Sequence, residues 1–156
     1  MPLNIALFEP EIPQNTGNIA RTCAATGCNL HLIRPLGFSV NDKYLKRAGL
    51  DYWNLVNIKY YNNIEELILA SGDEKIFFST TKESRIYTEV EYSSNCYIVF
   101  GKETAGLPEY IHNKYTDKRI RIPMIDNEHA RSLNLANSVN IVMYEALRQL
   151  GFPNLI

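Results

Sequence analysis

Two loops and one helix of this chain hold the residues whose types and spacing could do chemistry. Gly101-Lys102-Glu103-Thr104-Ala105-Gly106 has the glycine spacing of a phosphate-binding loop, in which backbone N–H groups cradle an anion. Leu107-Pro108 stands where that motif needs Lys-Ser/Thr, so ATP hydrolysis is not supported. No GxGxxG follows the first apolar run, which counts against a Rossmann dinucleotide site. Taken alone, Gly101 and Gly106 also suit plain turns, and Glu103 suits a helix cap or a surface charge. The second loop, Arg131-Ser132-Leu133-Asn134-Leu135, follows Ile120-Arg121-Ile122-Pro123-Met124, and Ser132 and Asn134 have the chemistry of helix caps. On the helix, Arg21 lies amid Ile19, Ala20, Cys23 and Ala24. An arginine beside an apolar face needs an anionic partner, and a phosphate or a carboxylate is the usual one.

Those loops need elements to hold them. Apolar runs alternate with helical periodicity, the pattern of an α/β fold with a mainly parallel sheet and helices on both faces. Strands are predicted over Leu3–Phe8, Asn29–Ile33, Lys59–Tyr61, Lys75–Ser79, Cys96–Phe100 and Arg119–Ile122. Asn15-Thr16-Gly17 reads as a turn capping a helix that carries Ile19, Cys23 and Thr26 on one face and ends at Gly27. Shorter helices are predicted over Lys43–Ala48 and Ile64–Ala70, with Tyr52 and Trp53 covering the core. Each chemical loop then sits directly after a strand, where open α/β sheets bind ligands.

Bulk properties narrow the classes. The 156 residues fit one domain, 1–156, able to bury a normal core. No apolar run reaches the length of a membrane span and no leader pattern opens the chain, so a cytoplasmic protein without membrane contact is expected. The net charge of −1 argues against a strong non-specific nucleic-acid binder. Local cationic groups remain at Lys43, Lys46 and Arg47 and at Lys114, Lys118, Arg119 and Arg121. Cys23, Cys28 and Cys96 suit reduced, buried thiols, and neither they nor the scattered His31, His112 and His129 have the spacing of a metal site.

Three stretches together carry a resemblance: Asn15-Thr16-Gly17-Asn18-Ile19-Ala20-Arg21, then Phe100-Gly101-Lys102-Glu103-Thr104-Ala105-Gly106-Leu107, then Ile122-Pro123-Met124 with Arg131-Ser132-Leu133-Asn134-Leu135. They are similar to the three motifs of SPOUT-class RNA ribose 2′-O-methyltransferases. The chain looks closest to the small tRNA (cytidine/uridine-34) 2′-O-methyltransferases, the TrmL/YibK subfamily. Phe8-Glu9-Pro10-Glu11-Ile12-Pro13 and Arg47-Ala48-Gly49-Leu50-Asp51-Tyr52 extend the match over nearly the whole chain, while Ile125–Ala130 is slightly longer than expected.

The resemblance implies a C-terminal segment threaded into a deep trefoil knot, with S-adenosyl-L-methionine bent among the knot loops. It implies cofactor binding at Ser79, Gly101, Ile122, Ser132 and Leu133, and a homodimer acting on the anticodon loop of tRNA. Arg21 would be the catalytic centre, with Asn15 orienting Arg21 or the ribose, Glu103, Ser132 and Asn134 shaping the cofactor-facing side and Tyr144 reaching the substrate. An arginine serves as a base only if its pKa falls far below about 12, so phosphate anchoring is the more conservative role for Arg21. Two rivals stand beside this reading: an α/β RNA-binding module without catalysis, and a small-molecule enzyme using the same pocket. Within the family, another tRNA or rRNA site is the alternative target.

The last helix, expected over Leu133–Leu150, shows two apolar rows. One is Leu135, Val139, Val142 and Ala146; the other is Ala136, Met143, Leu147 and Leu150. An arc this wide means either a helix central to the fold or one packed on a second subunit. Met143 and Leu147 are the first candidates for outward-facing positions.

Overall fold

The first apolar run becomes β1, Asn4–Phe8, in which every residue is buried. Its side chains alternate between two hydrophobic clusters, Ile5 and Leu7 entering one and Ala6 and Phe8 the other. A strand buried on both faces belongs in the middle of a layered α/β sheet. The computed structural model describes residues 2–39, 41–45, 47, 51–82 and 84–156.

The other strands are β2 (Asn29–Ile33), β3 (Ile58–Tyr61), β4 (Ile76–Ser79), β5 (Arg85–Ile86), β6 (Tyr97–Phe100) and β7 (Arg119–Arg121). Among the described residues they form one seven-stranded sheet in the order β3-β2-β1-β6-β4-β7-β5. Every pairing in it is parallel. The α-helices are α1 (Pro13–Thr26), α2 (Lys43–Leu45), α3 (Asp51–Trp53), α4 (Ile64–Ser71), α5 (Glu109–Lys114) and α6 (Leu135–Gln149). Residues of α1 and α6 pack with Ile5, Leu7, Leu30 and Ile98 on one face. Ile64 and Leu67 of α4 and Ile111 of α5 pack with Phe8, Phe78 and Val99 on the other. None of the described helices is long and apolar enough to cross a membrane.

Several boundaries differ from the sequence reading. Asn15-Thr16-Gly17 is no turn; it lies inside α1, which starts at Pro13, where a proline at the first helical position loses no hydrogen bond. The helix does end at Gly27, in a left-handed conformation with φ 75°. The expected helix over Lys43–Ala48 is seen as α2 only, because Lys46, Ala48, Gly49 and Leu50 lie outside the described residues. Trp53 packs against the core, as expected.

Both apolar rows of α6 are absorbed by the chain's own core. Ala136, Val139, Val142, Met143, Ala146 and Leu147 are buried, and Leu135 and Leu150 pack against the same cluster. The wide arc therefore marks a helix central to the fold, and Met143 and Leu147 do not face outward.

Candidate functional site

The cleft at the strand ends. β6, β4 and β7 are neighbours in the sheet, and each stops at a loop: Gly101 follows β6, Ser79 ends β4, and Ile122 follows β7. Their C-terminal ends, together with the loop before α6, enclose a cleft of about 580 Å³. All five residues expected to hold a cofactor, Ser79, Gly101, Ile122, Ser132 and Leu133, line it, as do Asn15, Glu103 and Asn134.

The glycine loop closes on itself through Lys102 N–H to the Gly106 carbonyl (3.3 Å) and Gly106 N–H to the Lys102 carbonyl (2.9 Å). A Cβ on Gly101 would stand 2.3 Å from the carbonyl carbon of Gly106, so the close approach that excludes a side chain is within the loop. Gly101 is required by the shape of the cleft wall before any ligand is considered.

Glu103 has a definite task. The N-cap of α1 is Ile12, which has no side chain to satisfy the first helical N–H groups. The Glu103 carboxylate, 91 residues away from Ile12, accepts from the backbone N–H of Ile12 (2.7 Å) and of Glu11 (2.9 Å). In return the Glu11 carboxylate accepts from the backbone N–H and the hydroxyl of Thr104, at 3.1 and 2.7 Å, which lowers its pKa from the ordinary value. Lys102 Nζ lies 3.6 Å from a Glu9 oxygen. The loop and the start of α1 are thus clasped by reciprocal contacts, the sequence-distant counterpart of a capping box.

From Glu103 a line of amides leads to α6. Asn15 is buried; its Nδ2 donates to Glu103 (3.3 Å) and its Oδ1 accepts from Asn134 Nδ2 (3.0 Å). Asn134 is the N-cap of α6, its Oδ1 accepting from the Asn137 N–H (3.2 Å). Ser132 lies before the cap, in the cleft wall. Asn15, Glu103 and Asn134 are therefore one connected unit joining the two chemical loops.

Arg21 and Tyr144 sit elsewhere. Arg21 is exposed, its guanidinium 5.0 Å from the centre of the Tyr52 ring. It lines a second, polar pocket with Asn18, Asn137 and Asn140, and Asn134 forms part of both pockets. No described carboxylate pairs with it, so the expected anionic partner is not supplied by the described chain. Asn15 makes its contacts with Glu103 and Asn134, and none of its hydrogen bonds reaches Arg21. Tyr144 is 46% exposed and lines neither pocket.

The cleft also contains residues that the motifs do not reveal. Lys82 and Glu109 pair at its edge, and that hydrogen bond lowers the Glu109 pKa. His112 is buried in its wall; burial first, then the Lys82 charge, lowers its pKa and favours the neutral ring. Position 112 is three residues after Glu109 on a helix that opens just past the glycine loop, the one signal that could have found it.

The SpoU rRNA Methylase family matches residues 2–144. A tRNA (cytidine(34)-2′-O)-methyltransferase of Yersinia pestis is 50% identical over 157 residues, covering 97% of this chain and 96% of that one. A structure bearing on the 2-OH methylation of C/U34 on tRNA superposes with a TM-score of 0.89 at 41% identity, covering 96% of each chain. An AdoMet-bound rRNA methyltransferase from Sinorhizobium meliloti has a TM-score of 0.83 at 25% identity, over 96% of this chain and 57% of that one. With the family match running over residues 2–144, almost end to end, the chain belongs to the SpoU methylase family.

Proposed function

We propose that residues 1–156 form one SPOUT domain that transfers a methyl group from S-adenosyl-L-methionine to the ribose 2′-oxygen of the wobble nucleotide, cytidine or uridine 34, of tRNA. The observation that carries this reading is the strand-end cleft, lined by the five expected cofactor residues and joined by an amide line to the pocket that holds Arg21. The relatives named for position 34 support the substrate. The proposal includes a cytoplasmic homodimer and a C-terminal segment threaded as a trefoil knot. In keeping with that path, the chain leaves β7 in the far half of the sheet and returns to pack α6 on α1.

The cleft fits the donor. Its volume lies within the range of roughly 300–1,000 Å³ typical of small-molecule sites. Leu107, Ile122 and Leu133 offer apolar surface for an adenine, and the tight Gly101–Gly106 turn brings backbone groups to its edge. When bound, the sulfonium supplies an electrophilic methyl group. The chain's own residues supply position and charge: Ser79, Gly101, Ile122, Ser132 and Leu133 hold the donor, and the Glu103–Asn15–Asn134 line fixes the two loops relative to α1. Arg21, braced by Tyr52, anchors an RNA phosphate with its planar fork and so sets the ribose. Lys43 lies in α2, which packs beside α1, and adds positive charge to that side.

The test is methyl transfer to tRNA carrying each of the four nucleotides at position 34, with digestion and mass spectrometry locating the product. Methyl groups on the 2′-oxygen of C34 and U34 are expected. Methylation confined to another RNA position, or none with cofactor bound, would reject the assignment.

A further inference from the structure

The strand-end cleft opens at one edge of the sheet, and because the pairings are all parallel, the residues that follow β2 and β3 reach that same edge. Arg34 comes directly after β2, and its backbone N–H donates to the carbonyl of Tyr61, the last residue of β3 (2.8 Å). The Arg34 guanidinium lies over the Tyr60 ring, 4.9 Å from its centre, and one of its N–H groups donates to Asn62 Oδ1 (3.4 Å). Tyr60 is two residues after Ile58, which packs against the cluster under α1 and α6, while Tyr61 packs against the other cluster. Side chains alternate along a strand, so the Arg34–Tyr60 pair sits on the α1 side of the sheet. Arg21, on α1 itself, rests on Tyr52 in the same way. Both arginines are exposed, and among the described residues no carboxylate pairs with either. A planar cation laid on a ring keeps its fork of donors in one pose facing water, which suits a phosphate.

We propose that Arg34, braced on Tyr60, is a second backbone clamp, holding a phosphate of the anticodon stem-loop a short way along the strand from the methylated ribose. The proposal rests on the function stated above, in which Arg21 anchors the phosphate at that ribose. The order of the sheet sets the path. From the cleft at β6, across β1 and β2 to β3, is three strand spacings, roughly 14 Å at about 4.8 Å each. That distance is spanned by neighbouring nucleotides of the same loop, not by a remote arm of the tRNA. Charge directs the strand the same way. α1 and α2 contain no Asp or Glu, and α2 adds the exposed Lys43. On the opposite face α4 opens with Glu65 and Glu66, and α5 with Glu109. A polyanion is therefore drawn to the α1 side. A backbone contact carries no sequence information, so Arg34 adds affinity and register without favouring either base at position 34.

The experiment measures binding of full-length tRNA by fluorescence anisotropy over a series of salt concentrations, and methyl-transfer kinetics, for the wild type, Arg34→Gln, Tyr60→Leu and Lys114→Gln. Lys114 is the control: its ammonium also lies over a ring, 5.5 Å from the centre of Tyr115, but on α5 at the opposite face. Arg34→Gln should raise KM and the tRNA Kd about tenfold near physiological salt, and lower the slope of log affinity against log salt by about one. Its kcat and its S-adenosylhomocysteine affinity should stay within about twofold of the wild type, since Arg34 lines neither pocket. The loss should be equal on tRNA with cytidine and with uridine at position 34. Tyr60→Leu keeps the charge but not the brace, so it should keep the slope and lose only part of the affinity. Lys114→Gln should change neither. Wild-type Kd and slope in Arg34→Gln would overturn the clamp, as would a fall in kcat at unchanged KM or an equal loss in Lys114→Gln, each leaving the methyltransferase reading intact. A wild type that neither binds nor methylates tRNA would end both.

Discussion

The contacts of single residues decide which substitutions separate chemistry from scaffolding. Arg21 is exposed on α1 and touches none of the donor cleft, so its loss should be felt in transfer and not in cofactor binding. Arg21→Ala should lower kcat/KM for tRNA by orders of magnitude while S-adenosylhomocysteine affinity, read by calorimetry, stays within a few-fold. Arg21→Lys should restore only part, because a lysine cannot form the planar bidentate fork. An Ala variant that loses cofactor binding and folding together would make Arg21 structural. Glu103 behaves oppositely. Its carboxylate satisfies two N–H groups at the start of α1 and holds Asn15, so Glu103→Ala should cost about 1 kcal/mol of stability, as lost helix caps do. Denaturant unfolding measures that loss. The same variant should weaken cofactor binding, since the clasp that fixes the Gly101–Gly106 loop is gone. Sequence offered a helix cap as one role for Glu103, and that chemistry holds. The helix it caps was illegible, since Ile12 and Glu103 are brought together only by the fold.

At the level of elements, what could be read from sequence depended on length. β2 matches its expected bounds, Asn29–Ile33, because Gly27 and Pro35 frame a run of alternating apolar residues. β5, two residues long, and α5, six residues between Pro108 and Tyr115, carry too few periods to announce themselves. The Gly101 loop gave its glycines away but not their purpose. Since a Cβ there meets Gly106 backbone, Gly101→Ala should cost about 1–3 kcal/mol, as overpacking does, and abolish cofactor binding with it. The end of the sheet opposite the cleft holds a feature no motif shows. His31 is 1% exposed; its Nε2 lies 2.9 Å from Asn4 Oδ1 and its Nδ1 2.9 Å from the Tyr61 hydroxyl. Asn4 Oδ1 can only accept, so Nε2–H donates and Nδ1 takes the tyrosine proton, which fits a neutral ring. Burial, with some help from Lys59, lowers the His31 pKa to about 4. In the unfolded chain the ring takes its proton near pH 6.5. Between those values the unfolded state binds more protons, so stability is full above about pH 6.5 and falls as the pH drops towards 4. The span of about 2.5 units corresponds to about 3 kcal/mol. Urea unfolding at pH 7.5 and 4.5 should show that loss in the wild type. A smaller difference is expected in His31→Gln, which has no proton to take.

For the molecule as a whole, the case for a dimer rests on other residues than the apolar rows of α6 suggested. Those rows are spent inside the chain, and a charge at Met143 or Leu147 should unfold it rather than split a dimer. What α6 leaves outside is a stripe of Asn137, Ile141, Tyr144 and Arg148, with Ile141 37% and Tyr144 46% exposed. Spacings of four, three and four keep these residues on one side of the helix. Asn137 at its head lines the Arg21 pocket, so the stripe and the acceptor side share an edge. A twofold contact along it would repeat the same face on both copies and set each Arg21 pocket near the other chain's strand-end cleft. Tyr144, which lines neither the donor cleft nor the Arg21 pocket of its own chain, would then reach the site from across the interface. The contact would also join two modest basic surfaces, which a chain of net charge −1 needs to hold a polyanion. Sedimentation should give about twice 17.9 kDa at micromolar concentration. Ile141→Glu and Tyr144→Glu, each at an exposed position, should leave melting of the fold and S-adenosylhomocysteine binding nearly unchanged, yet yield monomers that no longer methylate tRNA. A wild-type monomer of full activity, or a dimer indifferent to both substitutions, would place the interface, and with it the shared site, elsewhere.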